Sequence, residues 1–379
     1  MTDVFIVDAK RTPIGSFRGS LAGITAPELG AHAIRALAPD NVDEVFMGNV
    51  VSAGLRQAPA RQAMRIAGLD DGCGATTVNK VCGSGMKATM LATDIIRAGS
   101  AKRVIAGGME SMSNMPYLLA KARDGLRMGH AELNDSMFTD GLEDAETARA
   151  MGTFAQETAD TYQLTREAMD DYATESVTRA RQAISDGSLR AEISPIAVGN
   201  DEVADDEQPG RAKPERIPQL RPAFKADGTI TAANASSISD GASALLLAAE
   251  SHLDGREPLA RVVGHATHSR HPSDFTLAPI GAIEQLLAQL QWNKDQVDLF
   301  EINEAFAMVT MLCISELDLD NEKVNVFGGA CAQGHPIGST GSRLIVTLAQ
   351  AMLARGLRRG IAALCIGGGE ATAIALERD

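Results

Sequence analysis

The strongest constraint on how this chain can fold is an echo between its two halves. In the first half, Gly83–Gly85 opens a run of helical composition and Gly99 closes it. A strand-like run, Arg103-Val104-Ile105-Ala106, then leads into Gly107-Gly108. In the second half, Gly338–Gly341 opens a similar run, Gly356 closes it, and Ile361–Cys365 leads into Gly367-Gly368-Gly369. The lengths agree within a few residues. Two generic βαβ pieces would produce such a pattern, because the unit is common. A duplicated α/β half would produce it too, with a reaction centre between the copies. Strands alternating with helices predict parallel βαβ units in either case.

Around the echo, Val4–Val7 and Val42–Gly48 read as strands, and 27–36 and 57–68 as helices, with Pro27 suited to a first turn. From about residue 117 the texture changes. Residues 119–145 are polar and rich in Gly and Asp, Phe154–Gln163 and Arg166–Asp186 read as charged helices, and 200–215 is an acidic loop. This block reads as an insertion or cap. The α/β pattern resumes near Gly228–Ala232 and continues through strands at 242–248, 260–263, 297–301 and 324–327. Helices are expected at 305–317 and about 342–354.

At 379 residues the chain exceeds one ordinary core. Aromatics are 4% and glycines number 36, so small side chains dominate, which suits closely packed α/β layers. The net charge of −14 argues against a nucleic-acid partner, which requires a basic footprint. Five cysteines, an odd number spread over the chain, predict reduced thiols rather than a disulfide framework. With no signal-peptide pattern, no membrane-length apolar run and no peroxisomal tripeptide at Leu376–Asp379, the expectation is a soluble cytoplasmic protein.

Four stretches could carry chemistry. Val78–Ala88 places Cys82 in a tight turn before a helix, where unpaired N–H groups and the helix dipole favour a thiolate. The alternative is a buried cysteine that only fills space. His335 lies between Gly334 and Pro336; a nucleophilic cysteine needs such an imidazole to hold its proton. Cys331 and His335 could also pair on a metal, but no further His or Cys cluster supports a metal site. Cys365 ends a buried strand and faces Gly367-Gly368-Gly369, whose main-chain N–H groups could bind an oxyanion. A dinucleotide fingerprint there would come too late in the chain. Asn303, in Glu301–Ala307, could cap a helix or serve the site. His265, His268 and His271 read as a solvated loop.

Taken together, Val78–Ala88 around Cys82, Asn303-Glu304-Ala305-Phe306, Gly334-His335-Pro336 and Cys365–Gly369 resemble the thiolase family, in that family's order and at similar intervals. Asp8–Pro13 and Leu220–Phe224 match as well, so the resemblance covers essentially the whole chain. It implies two similar α/β halves in a five-layer αβαβα arrangement with an inserted loop domain. The corresponding division is 1–118, completed by about 239–260, then 119–238 as the insertion, and 261–379. By the same resemblance Cys82 is the nucleophile that takes the acyl group from an acyl-CoA. His335 activates it and, with a water held by Asn303, stabilises an oxyanion. Cys365 is the acid/base thiol, and the N–H groups of Cys82 and Gly367 form a second oxyanion hole. Ser236, Arg211, Met151 and Phe224 are the implied contacts to coenzyme A, which is a substrate; no metal or tightly bound cofactor is implied.

The resemblance further implies ping-pong condensation of two acetyl-CoA to acetoacetyl-CoA, and a homotetramer joined through segment 119–143. Ala150, where many short-chain relatives carry histidine, and Phe275, where many carry methionine, bear on acyl-chain length. A longer-chain 3-ketoacyl-CoA thiolase of fatty-acid breakdown is therefore the alternative. From other classes, the competing readings are a catalytically silent acyl-CoA-binding protein and a nucleotide-binding oxidoreductase.

Overall fold

The two echoing stretches fold into matching pieces of one large sheet. In a computed structural model that describes residues 2–378, the first half supplies five main strands, β1 (Val4–Arg11), β2 (Glu44–Gly48), β3 (Gly74–Val78), β4 (Arg103–Ser111) and β5 (Ser239–Ala249), with the two-residue strand Gly15–Ser16 pairing onto β5 off the main path. The second supplies β6 (Ala260–Ser269), β7 (Leu299–Ile302), β8 (Arg359–Ile366) and β9 (Glu370–Glu377). Met1 and Asp379, the outer ends of the first and last expected units, lie outside the described residues.

The sheet order is β7-β8-β9-β6-β1-β5-β4-β2-β3, and it reads alike from the middle outwards. On one side β1 is antiparallel to β5, β5 antiparallel to β4, and β4 parallel to β2; on the other, β6, β9, β8 and β7 repeat those senses. The halves meet where Phe5 and Ile6 pair with Arg261 and Ala260. The expectation of parallel units therefore holds for β2–β3, β2–β4 and β7–β8 only. The turn from β8 to β9 spans Gly367–Gly369, far too short for the crossover that a parallel pair needs.

The helices supply the other layers. The first-half helices are α1 (Ala26–Ala36), α2 (Pro59–Ala67) and α3 (Ser84–Arg97), and the insertion adds α4 (Met151–Thr161) and α5 (Arg166–Ser185). The second half contributes α6 (Ala278–Leu290), α7 (Ala307–Leu317) and α8 (Thr340–Arg355). Helices α1 and α2 pack together, with α1 on β4 and β5; α6 covers β6, β8 and β9; α3 and α8 pack against each other between the two half-sheets. Every residue of α8 from Thr340 to Met352 is buried, as a helix enclosed on all sides must be. Gly99 and Gly356 end the echoing helices at φ values of 79° and 63°, where a side chain would be strained.

Three local expectations change. Gly107 and Gly108 lie inside β4, which runs on to Ser111. A Cβ at Gly108 would overlap the Gly338 carbonyl oxygen, so glycine here allows a close approach between halves. The strand expected at 324–327 shrinks to one bridge, Phe300 to Val324, and 228–232 is irregular. His265 and His268 lie on β6 rather than in a loop, because β6 pairs along its length with β9. The insertion itself carries short antiparallel pairs at Tyr117–Leu119 with Leu133–Asp135, and Ile196–Val198 with Asp201–Val203. Buried Arg11 at the end of β1 ties it down, donating to Glu192 (2.6 Å) and, two-pronged, to Asp206 (2.7 and 2.9 Å).

Candidate active site

The turn that carries Cys82 is built by its neighbours. Ser84 Oγ accepts from the Lys80 N–H (2.8 Å) and donates to the Val81 carbonyl (2.6 Å), and the Gly83 N–H closes on Lys80 O at 3.0 Å. Val81 is forced to φ 46°, an uncommon conformation for a β-branched residue and the kind of strain found where a side chain is aimed for use. A Cβ at Gly83 would overlap Ile366, so the turn sits directly on the end of β8.

That contact brings the two cysteines together. The backbone N–H groups of Gly367 and of Cys82 itself favour charge on the Cys82 sulfur. Lys80 and Glu370 join the two turns by an ion pair at 2.6 Å. Cys365, 1% exposed at the end of β8, is close enough that charge on Cys82 would raise its pKa further. Burial is the larger cause in both thiols: it pushes Cys82 up to about 11 and Cys365 well above the ordinary thiol range. The expected resting thiolate at Cys82 is thus corrected. Helix α3 begins only at Ser84, and desolvation of the sulfur outweighs the two N–H groups that favour its charge.

His335, the imidazole expected to serve the Cys82 thiol, is buried. Its Nδ1 lies 2.6 Å from Thr340 Oγ1, and that hydroxyl has its own acceptor in the Pro336 carbonyl at 3.0 Å. The single hydroxyl proton goes to Pro336, so Nδ1 is the donor and Nε2 carries the lone pair. Burial, assisted by the charge of Arg343, lowers the pKa of His335 to about 3, which keeps the ring neutral. Among the described residues Nε2 is buried without a partner, and so are both side-chain amide atoms of Asn303. Buried polar atoms normally find partners. One lone pair and one amide left unpaired in this region are suited to a reacting group and an ordered oxygen. Asn303 follows β7, where its N–H extends the ladder to Ala363 O at 3.0 Å.

The next residue, Glu304, is quoted in the sequence motif without a role. Its carboxylate accepts from Tyr172 (3.1 Å), Asn325 (2.8 Å), Ser176 (2.8 Å) and the Cys331 N–H (3.1 Å), locking α5 of the insertion against the Asn303 loop. Thr340 was equally invisible as a partner of His335. The signal for both lay inside motifs whose other members drew the reading.

Of the implied coenzyme contacts, Met151 opens α4 beside Gly367, about 3.7 Å from a Cβ there. Phe224 meets Phe306 edge-on at 6.1 Å, and the Ser236 N–H donates to Ala305 O at 3.0 Å. Cys365 shares one apolar cluster with Phe154, Phe275 and Phe306, with Met151 and Phe224 at its edge. Arg211 is exposed and paired with Glu207 at 3.0 Å, so the structure does not bring it to the cysteines. The Cys331 sulfur lies 3.7 Å from the Glu304 carbonyl, and Nδ1 of His335 is held by Thr340. Among the described residues no group of three or more His, Cys, Asp or Glu could hold a metal ion.

Comparison with known proteins decides the family. Residues 4–251 match the thiolase N-terminal domain and residues 256–378 the thiolase C-terminal domain. The chain belongs to the thiolase family. This thiolase is 47% identical to an acetyl-CoA acetyltransferase of Pseudomonas aeruginosa over the full length of both chains. It is 44% identical to an acetyl-CoA acetyltransferase of Schizosaccharomyces pombe, covering 100% of this chain and 99% of that one. The Acat5 thiolase from Ascaris suum, crystallised in complex with coenzyme A, superposes with a TM-score of 0.95 at 40% identity, each chain covered in full. The thiolase is accordingly an acyltransferase, with the expected fold of two α/β halves.

Proposed function

We propose that this thiolase moves acetyl groups between coenzyme A thioesters, converting two acetyl-CoA to acetoacetyl-CoA and CoA, and the reverse. The observation that carries the reading is the meeting of Cys82, the Gly367 N–H and Cys365 at the joint between the two halves. The relatives named acetyl-CoA acetyltransferase support the substrate. His335 Nε2 takes the Cys82 proton, the sulfur attacks the first thioester, and the departing CoA sulfur takes the proton of Cys365. The Cys365 thiolate then removes the α-proton of a second acetyl-CoA. Its carbanion attacks the acetyl-Cys82 carbonyl, and the Cys82 sulfur leaves, recovering its proton from His335. Neutral resting forms of both groups follow from their shifted pKa values, so charge exists only as a pair while substrate fills the site. Gly367 and Cys82 N–H groups serve one oxyanion; His335 and Asn303 serve the other.

The phenylalanines support a short acyl chain. Phe275 and Phe306 pack edge-on at 6.4 Å in the cluster that holds Cys365, filling space that a longer chain would need. Rates of thiolysis across 3-ketoacyl-CoA lengths should fall beyond the four-carbon substrate, and Phe275→Ala should lessen that fall. Equal rates at longer lengths in the unaltered protein would favour the alternative in fatty-acid breakdown.

The chain division given above, 1–118 with 239–260, 119–238 and 261–379, is part of the same reading. So are CoA contacts from Ser236, Met151, Phe224 and Arg211, and a place in fatty-acid metabolism. Five free thiols support a reducing compartment, the cytoplasm. Among the described residues no helix is long and apolar enough to cross a membrane. The pair Tyr117–Leu119 and Leu133–Asp135 exposes Tyr117 and Leu133, and the stretch between its strands exposes Leu126 and Met128, the last 99% exposed, which supports a homotetramer joined through this segment. Sedimentation should give the mass of four chains, and of fewer after Met128→Glu with Leu133→Glu.

A further inference from the structure

We propose that Glu110, near the end of β4, is a positioning residue for the acyl transfer: it fixes the His335 loop on the half that carries Cys82. Glu110 is 1% exposed, and its carboxylate joins two separate segments to β4. Oε1 accepts from Asn49 Nδ2 at 2.9 Å and from the Val51 N–H at 3.3 Å; Oε2 accepts from the N–H groups of Val50 and Gly338, both at 2.9 Å. Gly338 lies three residues beyond His335. Its carbonyl points the other way, into a cradle where a Cβ at Gly48 would lie 2.7 Å from the oxygen and one at Gly108 would overlap it. The Gly338 peptide is therefore gripped at both ends, its N–H by Glu110 and its C=O by glycine-lined backbone.

The clamped segments are also those that wall the nucleophile. Val50, Val51 and Ile337 form one apolar cluster against which Val81 and Cys82 pack. Shifting the 49–51 segment or the His335–Gly338 loop would thus change the separation of Nε2 from the sulfur. A 1 Å misplacement of reacting groups is costly in rate. Each carboxylate oxygen faces two N–H donors, so only the anion satisfies the site; a proton or an amide NH₂ would set donor against donor. Burial pushes the Glu110 pKa up to about 7, while the N–H groups of Val50, Val51 and Gly338 pull the other way. Burying a charge is expensive, and four converging donors that only an anion satisfies favour a role in geometry over one in simple stability.

The proposal rests on the reading of Cys82 and His335 as nucleophile and base. Its test measures single-turnover acetylation of Cys82 and steady-state thiolysis of acetoacetyl-CoA in the full chain, unaltered and as Glu110→Gln, Glu110→Asp and Asn49→Ala. Glu110→Gln should lower kcat and the acetylation rate about 100-fold while KM for CoA holds within about twofold. Glu110→Asp, which keeps the charge, should recover part of the loss. An unchanged kcat per folded molecule, or a raised KM at constant kcat, would overturn the role. Should Glu110→Gln fail to fold, Asn49→Ala removes one donor and leaves the carboxylate. A loss of about tenfold in kcat at constant KM supports the proposal, and an unchanged kcat overturns it. Failure of the unaltered protein to acetylate Cys82 would remove the reading of the site itself, and is visible before any variant is made.

Discussion

Cys82→Ala is expected to lower the rate of acetoacetyl-CoA thiolysis on the order of 10⁵-fold, the scale seen when a covalent nucleophile is removed. The mechanism has no other group that can carry the acetyl unit: Cys365 is engaged as the acid/base thiol, and the remaining thiols at 73, 313 and 331 are buried elsewhere. Folding should survive, since the turn is held by the backbone and by Ser84 rather than by the Cys82 sulfur. Cys82→Ser should fare little better, because a buried hydroxyl is far harder to ionise than a thiol. Steady-state thiolysis with thermal melts of both variants separates lost chemistry from lost structure. A Cys82→Ala protein within tenfold of the unaltered rate would refute the assignment.

Cys365→Ala is expected to split the reaction in two. Acetylation of Cys82 from acetyl-CoA should persist, slowed by loss of the proton that assists CoA departure. Carbon–carbon bond formation should fall about 10⁴-fold, as a positioned acid/base contributes. The argument rests on placement and on pKa together. Cys365 lies beside Cys82, and burial raises its pKa well above the ordinary thiol range. A thiolate formed there is a strong base for an α-proton, and it forms only after its proton has left with CoA. Rapid-quench detection of acetyl-enzyme alongside acetoacetyl-CoA formation checks both halves. Normal condensation by Cys365→Ala would place the base elsewhere.

The legibility of this chain was uneven for physical reasons. The glycine-bounded echo gave two α/β halves because helix stops and strand-end turns write themselves locally: Gly99 and Gly356 hold positive φ where the sequence places the stops. Strand sense was not legible, since it depends on partners far along the chain. Strand β9 was missed, and with it the pairing that makes His265 and His268 strand residues. The residues proposed to react, Cys82, Asn303, His335 and Cys365, could be named, but not their resting states. A helix N-terminus suggests a thiolate, whereas desolvation of the half-buried Cys82 pushes its pKa up to about 11. The supporting carboxylates stayed hidden for a similar reason. Glu304 and Glu110 each collect four donors from segments distant in sequence, and no spacing rule announces such a cluster.

The central claim is that Cys82 carries the acyl group, with its proton held by His335. Mass spectrometry of the peptides released after incubation with acetyl-CoA tests it most directly. The account predicts one acetyl group per chain, on the peptide containing Cys82, absent from Cys82→Ala and lost on addition of CoA. Equal labelling of Cys82→Ala, or an acetyl group on another cysteine that CoA removes at the catalytic rate, would contradict it.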